Sequence, residues 1–305
     1  MPTGPIGSTR GAAVPARLIS IDALRGIACL WVVLYHVGAY WQGAVYRGWD
    51  VLSTDVDGLV PRALVLTSRT GFQGVSLFLV LSGFCLHHPV VRRGTLELGR
   101  FAEARAFRIV PPYYASIALL WAASTTSVGR WAVFFPIEPW DVAVHALFVH
   151  NLVPRSIWSI DGAYWSLALE AQLYLVFPLL VAAARRVGMG AVYAGALALA
   201  VVWPFAMAAV APTATGGLWG VLNTGLPARL SELCAGMLAA RLVADGVPRW
   251  GRWVLVALSI AWLPATWLVH VSKVVALPLD AAVCGASFAA ILTLAVGRWH
   301  LATCG

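Results

Sequence analysis

The sequence predicts an all-α fold, a polytopic membrane helix bundle of about eight spans with one short re-entrant or interfacial segment. Three observations carry that expectation. Of 305 residues, 60% are hydrophobic and only 11% charged, and the mean hydropathy is +0.80, far from the composition of soluble domains. Eight apolar runs are long enough, or nearly so, to cross a bilayer. When those runs alternate in direction, the basic residues gather on one side.

The runs are 19–41, 71–88, 109–127, 164–184, 189–211, 228–244, 253–270 and 278–297. A further run, Val142 to Val153, is too short to span unaided and carries His145 and His150. If it crossed, Arg185 and Arg186 would face the outside; if it is re-entrant, they join Arg92, Arg93, Arg100, Arg105 and Arg108 on the cytoplasmic side. The second arrangement is the expectation. It leaves Arg47, Arg62, Arg69, Arg130, Arg155 and Lys273 outside, and it puts tryptophans such as Trp41, Trp140, Trp158, Trp165 and Trp253 at span ends, where aromatic belts form.

The formal charge of +8 comes from twenty arginines and a single lysine. Few aromatic–basic clusters lie outside the apolar runs, so this charge reads as membrane topology and a lipid-bilayer partner, with no nucleic acid. The cysteines show no CxxC or other ligand spacing, which argues against a disulfide framework and against a metal site. Residues 1–17 lack an apolar h-region and read as a short flexible cytoplasmic tail rather than a signal peptide. Residues 18–297 then form one integral membrane domain and 298–305 a second short cytoplasmic tail.

The first span carries Arg25 and His36, eleven residues apart, which leaves them within roughly 20° of one helical face and about 16 Å apart along the axis. Ionisable residues at membrane depth are functional candidates. Asp22 sits one turn before Arg25 and is placed to neutralise it. Arg105 and Arg108, at i and i+3, project from one face at the membrane entrance and suit phosphate, because guanidinium forks clamp its oxygens. The bland alternative is the positive-inside rule alone. Glu170 stands by itself among apolar residues, near 24 Å from the inner end of its span, with His36 near 20 Å from its own; both heights are rough counts at helical rise. A carboxylate on one imidazole nitrogen raises basicity at the other, as a general base requires. The alternative is that Glu170 pairs with Arg25 or another buried cation. Gly74, Ser82 and Gly83 lie within the second span, for close helix approach or for a ligand. Arg229 and Glu232 read as a structural pair at a span entrance, and His145 and His150, at i and i+5, share no helical face.

From Leu18 to Arg241 the chain resembles the bacterial acyltransferase-3 family of polytopic O-acyltransferases. The resemblance runs through Ile21-Asp-Ala-Leu-Arg25-Gly-Ile-Ala with His36, Gly74-Val-Ser-Leu-Phe-Leu-Val-Leu-Ser82-Gly-Phe, Arg105-Ala-Phe-Arg108-Ile-Val-Pro, Trp165-Ser-Leu-Ala-Leu-Glu170-Ala-Gln-Leu-Tyr and Arg229-Leu-Ser-Glu232-Leu-Cys-Ala-Gly236. The family's Arg, ten residues and His fall on Arg25 and His36, and its Arg-x-x-Arg on Arg105 and Arg108. It usually has more spans than the eight here.

The resemblance implies transfer of an acyl group, with acetyl expected first, from cytoplasmic acyl-CoA to a sugar hydroxyl of a surface glycan or glycosylated metabolite. It implies a multi-pass protein of the bacterial cytoplasmic membrane with a cytoplasmic N-terminus. The expected catalytic residues are His36, Glu170 and Arg25, and the expected donor-binding residues are Arg105, Arg108 and Ser82. Two rivals are a transporter with a buried Arg/His/Glu path and a non-catalytic scaffold for glycan assembly. The absence of an internal repeat weakens the first.

Overall fold

The structure, a computed structural model, describes residues 19–41, 70–126, 137–247, 249–272 and 277–302. The expected N-terminal tail, the polar stretch 42–69, Arg130 and Lys273 lie outside the described residues.

Eight long helices occupy the eight predicted runs: α1 (Ile19–Trp41), α2 (Gln73–Arg93), α3 (Leu98–Ser124), α5 (Trp165–Val187), α6 (Met189–Val210), α8 (Leu226–Asp245), α9 (Arg249–Ser272) and α10 (Leu277–Ala302). Among the described residues, two short helices, α4 (Pro139–Ala146) and α7 (Gly216–Thr224), and a 3-10 turn at His150–Leu152 complete the set, with no strand. Among the described residues five helices are long and apolar enough to cross a membrane, through Ser20–Val37, Gln73–Arg93, Trp165–Val187, Met189–Val210 and Leu279–Val296, and Gly251–Pro264 is a shorter apolar stretch. The protein is an all-helical, polytopic membrane bundle.

Three boundaries depart from expectation. α3 begins at Leu98, eleven residues before the apolar run, because a helix that emerges from a bilayer continues with arginines on it. α10 continues to Ala302, past the expected end at 297. α7 lies in a stretch broken by Pro212, Gly216 and Gly217 that carries no span-length apolar signal.

α8 is the hub: it packs most extensively on α2 and further on α10 and α6, while α1 flanks α2. Glycine makes the central crossing possible. A Cβ on Gly83 would fall 2.0 Å from the Leu233 carbonyl oxygen, and one on Gly236 would fall 1.9 Å from that of Val80. Each helix thus presents a bare backbone to the other, the close approach that small residues permit in membranes. Packing accordingly accounts for Gly83. α1 crosses α2 in the same way at Gly74, where a Cβ would meet the Ala28 carbonyl oxygen at 2.9 Å.

The fate of the short run is settled by one hydrogen bond. Arg185, in the last turn of α5, donates from Nη2 to the Gly94 carbonyl at the end of α2, at 2.8 Å. The C-terminal ends of α2 and α5 therefore share one end of the bundle, hereafter the basic end, with α3 leading away from it. The segment between α3 and α5 makes no net crossing. It forms a cap at the far end from α4 and the 3-10 turn, joined there by α7, whose Gly217 packs on the Pro154 carbonyl. Arginines in the last turns of α2 (Arg92, Arg93) and α5 (Arg185, Arg186) also complement the helix dipoles.

Candidate active site

At the basic end, a cavity of about 150 Å³ opens between the second half of α2 and the start of α3, lined among others by Cys85, Arg93, Glu97, Arg100, Phe101 and Arg105. Helical rise explains why these residues meet. Arg25 is six residues from the start of α1, Arg105 seven from that of α3, and Cys85 eight from the end of α2, which sets all three about 9 to 12 Å in from the basic end.

Arg25 points its Nη2 at the Cys85 sulfur, 3.3 Å away, and its Nη1 at Asp22, 3.7 Å away. The guanidinium groups of Arg25, Arg105 and Arg108 all act electrostatically on that thiol. Arg25 of α1 thus meets, on α2, a cysteine that spacing alone marks only as a small hydrophobe, and Arg105 of α3 lines the same cavity. Arg105 is half-buried, lies over the Tyr174 ring with 5.7 Å from Cζ to the centroid, and keeps its buried Nε without a hydrogen-bond partner. Arg108 is exposed, with no hydrogen bond or ion pair among the described residues. Ser82 is partly buried one turn from Cys85 on the same face of α2.

The α3–α5 contact is aromatic. Phe101 stacks on Phe177, centroids 5.2 Å apart, and meets Tyr174 edge-on at 6.3 Å. The Tyr174 hydroxyl donates to the Glu170 carboxylate one turn earlier on α5.

His36 and Glu170 stand at equal height, seventeen residues from the basic ends of α1 and α5, about 26 Å at helical rise. Their hydrogen bonds nonetheless go elsewhere. The His36 Nδ1 lies 2.8 Å from the Val32 carbonyl, and Glu170 is bound to Tyr174. A carbonyl only accepts, so Nδ1 carries the proton and Nε2 keeps the lone pair that a base needs. The backbone of α1 supplies the orientation expected of Glu170. Height along a helix is legible from residue counts; which neighbour the helix turns toward is not. α1 packs on α2 and α10, α5 on α6, and α2 is a helix both touch.

Two further polar clusters lie toward the far end. Arg229 and Glu232, the predicted structural pair, form an ion pair at 2.9 Å with side chains 4% and 0% exposed. Arg229 also donates to the Ser76 hydroxyl at 3.4 Å and lies over the Trp165 ring, with Asp280 buried in the same electrostatic environment.

His145 and His150 stack face to face, centroids 3.7 Å apart and rings 6° from parallel, both fully buried. The i, i+5 argument fails because the helix ends between them and Phe148, at φ 55°, turns the chain back. His145 Nδ1 lies 2.7 Å from the Asp141 carbonyl, His150 Nδ1 lies 3.4 Å from the Tyr113 hydroxyl, and neither Nε2 has a hydrogen-bond partner. Burial pushes both imidazoles toward the neutral form, His150 to about 3 with its neighbouring ring opposing a second charge. Among the described residues no group of three or more His, Cys, Asp or Glu is arranged to hold a metal ion.

Long apolar helices around buried charges, with a cation-lined cavity at one end, define a polytopic membrane protein. The chain belongs to the acyltransferase-3 family, whose model, described as an acyltransferase domain, matches residues 18–302. Among curated relatives it is similar to the peptidoglycan O-acetyltransferase OatA of Listeria monocytogenes, 25% identical over 174 residues, covering 52% of this chain and 23% of the relative. The O-acetyltransferase OatA of Staphylococcus aureus is 22% identical over 181 residues, 55% of this chain and 25% of that protein. Protein 2 in the picA locus of Rhizobium radiobacter is 31% identical over 109 residues, 35% of this chain and 45% of that one. The chain thus matches only about a quarter of the length of the OatA proteins. No solved structure matches it.

Proposed function

We propose that the protein moves an acyl group, most simply acetyl, from acyl-CoA to a sugar hydroxyl of a surface glycan or glycosylated metabolite. The observation that carries this reading is the cation-lined cavity at the basic end, where Arg105 brings a buried, unpartnered Nε beside Cys85 and Arg25 reaches that thiol from α1. The basic end is read as cytoplasmic by the positive-inside rule, which puts the N-terminus inside and the chain in the bacterial cytoplasmic membrane. At about 150 Å³ the cavity is smaller than the ~300–1,000 Å³ of ordinary ligand sites and suits a phosphate or part of the pantetheine arm, with the nucleotide outside it.

Phosphates bind Arg105 and Arg108, and the arm passes Ser82 and Arg25 along α1 toward His36. An acceptor hydroxyl arrives from the far end and gives its proton to His36 Nε2 as its oxygen attacks the thioester carbonyl. The carbon–sulfur bond then breaks, and the departing thiolate takes the proton from the imidazolium to leave as free CoA. Acylation of His36 with onward transfer is the alternative order of the same steps. The names of the OatA relatives support acetyl as the acyl group and peptidoglycan as one candidate acceptor.

The test uses purified protein in nanodiscs with radiolabelled acetyl-CoA and envelope glycan. The wild type forms alkali-labile acetyl ester, whereas His36→Ala loses it by about 10²- to 10⁴-fold and still binds acetyl-CoA. Turnover by His36→Ala at the wild-type rate removes the histidine from the mechanism. Movement of acceptor across the vesicle without ester formation favours a transporter.

A further inference from the structure

We infer that Tyr174 is a positioning residue that serves the donor and the carboxylate through separate parts of its side chain: the ring supports Arg105 and the hydroxyl holds Glu170. The inference rests on the acyl-CoA reading of the basic end. Tyr174 is 6% exposed, so neither part is held by solvent. Its ring lies beneath the Arg105 guanidinium and meets Phe101 edge-on, which fixes a long, flexible cation against a rigid plane. Its hydroxyl spends its single proton on Glu170. Glu170, Arg105 and Arg108 all act electrostatically on that hydroxyl.

Glu170, the anion of this group, is therefore joined to Arg105 through one side chain, although it lies on a different helix. Anionic phosphate arriving at Arg105 and Arg108 offsets their positive charge at the tyrosine. The Glu170 carboxylate then meets a changed field through Tyr174. Tyr174 is in this way the physical link by which the state of the donor surface reaches Glu170.

Two substitutions separate the two functions. Tyr174→Phe keeps the ring under Arg105 and removes the bond to Glu170; Tyr174→Leu removes both. Acetyl-CoA affinity is measured on purified protein in nanodiscs, and turnover as label from acetyl-CoA entering alkali-labile ester in membranes of cells producing each variant. Tyr174→Phe is expected to bind acetyl-CoA within twofold of wild type while turnover falls about tenfold, the loss of one hydrogen bond to a charged group. Tyr174→Leu is expected to weaken binding about fivefold as well, by loss of the cation–π contact. Glu170→Gln added to Tyr174→Phe should cost little more, because the two act as one unit.

Wild-type turnover in Tyr174→Phe overturns the inference, as does a binding loss in Tyr174→Phe equal to that in Tyr174→Leu. Should Tyr174→Leu fail to fold, Tyr174→Met fills similar volume without a ring face. If acetyl-CoA binds wild type and an Arg105→Gln/Arg108→Gln variant equally, the acyl-CoA reading itself fails. Tyr174 variants without effect beside a sensitive arginine pair defeat the inference alone.

Discussion

Arg229 and Arg105 are both arginines on helices of this bundle, and they have opposite surroundings. Arg229 has its charge answered by the protein, with a carboxylate ion-paired at 2.9 Å, a serine hydroxyl and a tryptophan face, although its Nε, like that of Arg105, has no hydrogen-bond partner. Arg105 has only an aromatic face, an orphan Nε and an open cavity, and its companions Arg25 and Arg108 have a thiol with a looser carboxylate, or nothing. A buried cation whose charge is answered by the protein holds the protein together. One whose charge is left unanswered at a cavity waits for something anionic. Residue type and depth do not distinguish these cases; the inventory of partners does.

The largest effect comes from breaking the closed site. Arg229→Met or Glu232→Gln alone strands a buried charge and should cost about 3 to 5 kcal/mol of stability, read as loss of folded protein in thermal unfolding on detergent-solubilised samples. Arg229→Met with Glu232→Leu and Asp280→Asn removes all three charges of the cluster and should recover most of that loss. A single variant as stable as the parent would contradict the closed-site account.

Arg105→Gln/Arg108→Gln should do the reverse. Charge-assisted bonds to phosphate contribute about 1.5–3 kcal/mol each before screening, so acetyl-CoA binding should weaken by about a hundredfold. Stability should change by about 1 kcal/mol or less, since the one protein partner lost is the Tyr174 ring beneath Arg105. An unfolded double variant would class these arginines with Arg229.

Much of this contrast was legible in the sequence, and the limit is geometric. The eight helices followed from apolar run length, and the Arg229–Glu232 pair from i, i+3 spacing, because both depend on one coordinate along a helix. Arg105 and Arg108 were found as a pair for the same reason. What the sequence withheld depends on how helices face each other: Cys85 between α1 and α3, Tyr174 beneath Arg105, and Glu170 turned toward that tyrosine instead of His36. The histidine stack was hidden by a change of chain direction at Phe148, which periodicity does not register.

That stack is a third case, buried like Arg229 and unanswered like Arg105, and its consequence is pH dependence. Facing the two rings are Tyr113 from α3, the carbonyl and carboxylate of Asp141 from α4, and the backbone of Ser159 and Tyr164. In the unfolded chain each imidazole titrates near 6.5, whereas folded His150 resists protonation down to about 3. As pH falls through this window the unfolded state takes up protons that the folded state does not, so stability drops from about 6.5 toward 3 and is unaffected by this group above 6.5. Amide exchange in residues 141–164, corrected for intrinsic rates, should accelerate between pH 7 and 5 and should do so less in His150→Phe. Equal protection at both pH values would mean that the pair is already charged or already open.

The smallest effect tests whether the open site is open in the way its partners suggest. Cys85 lines the cavity, while Cys234 and Cys284 are buried. A small thiol reagent applied from the basic end should therefore modify Cys85 in preference to those two; Cys29, which is exposed on α1, and Cys304, outside the described residues, are removed by Cys29→Ser and Cys304→Ser to keep the readout clean. In the proposed mode, with acetyl-CoA on Arg105 and Arg108 and its arm past Arg25, the donor would cover the thiol, so saturating donor should slow the modification several-fold, and the protection should vanish in the Arg105→Gln/Arg108→Gln variant. Free acetate at the same concentration lacks phosphates and should protect nothing. If donor leaves the rate at Cys85 unchanged while binding is demonstrated, the pantetheine arm runs along another path and Arg25 answers only Asp22 and the thiol, which would move it from the open class to the closed one.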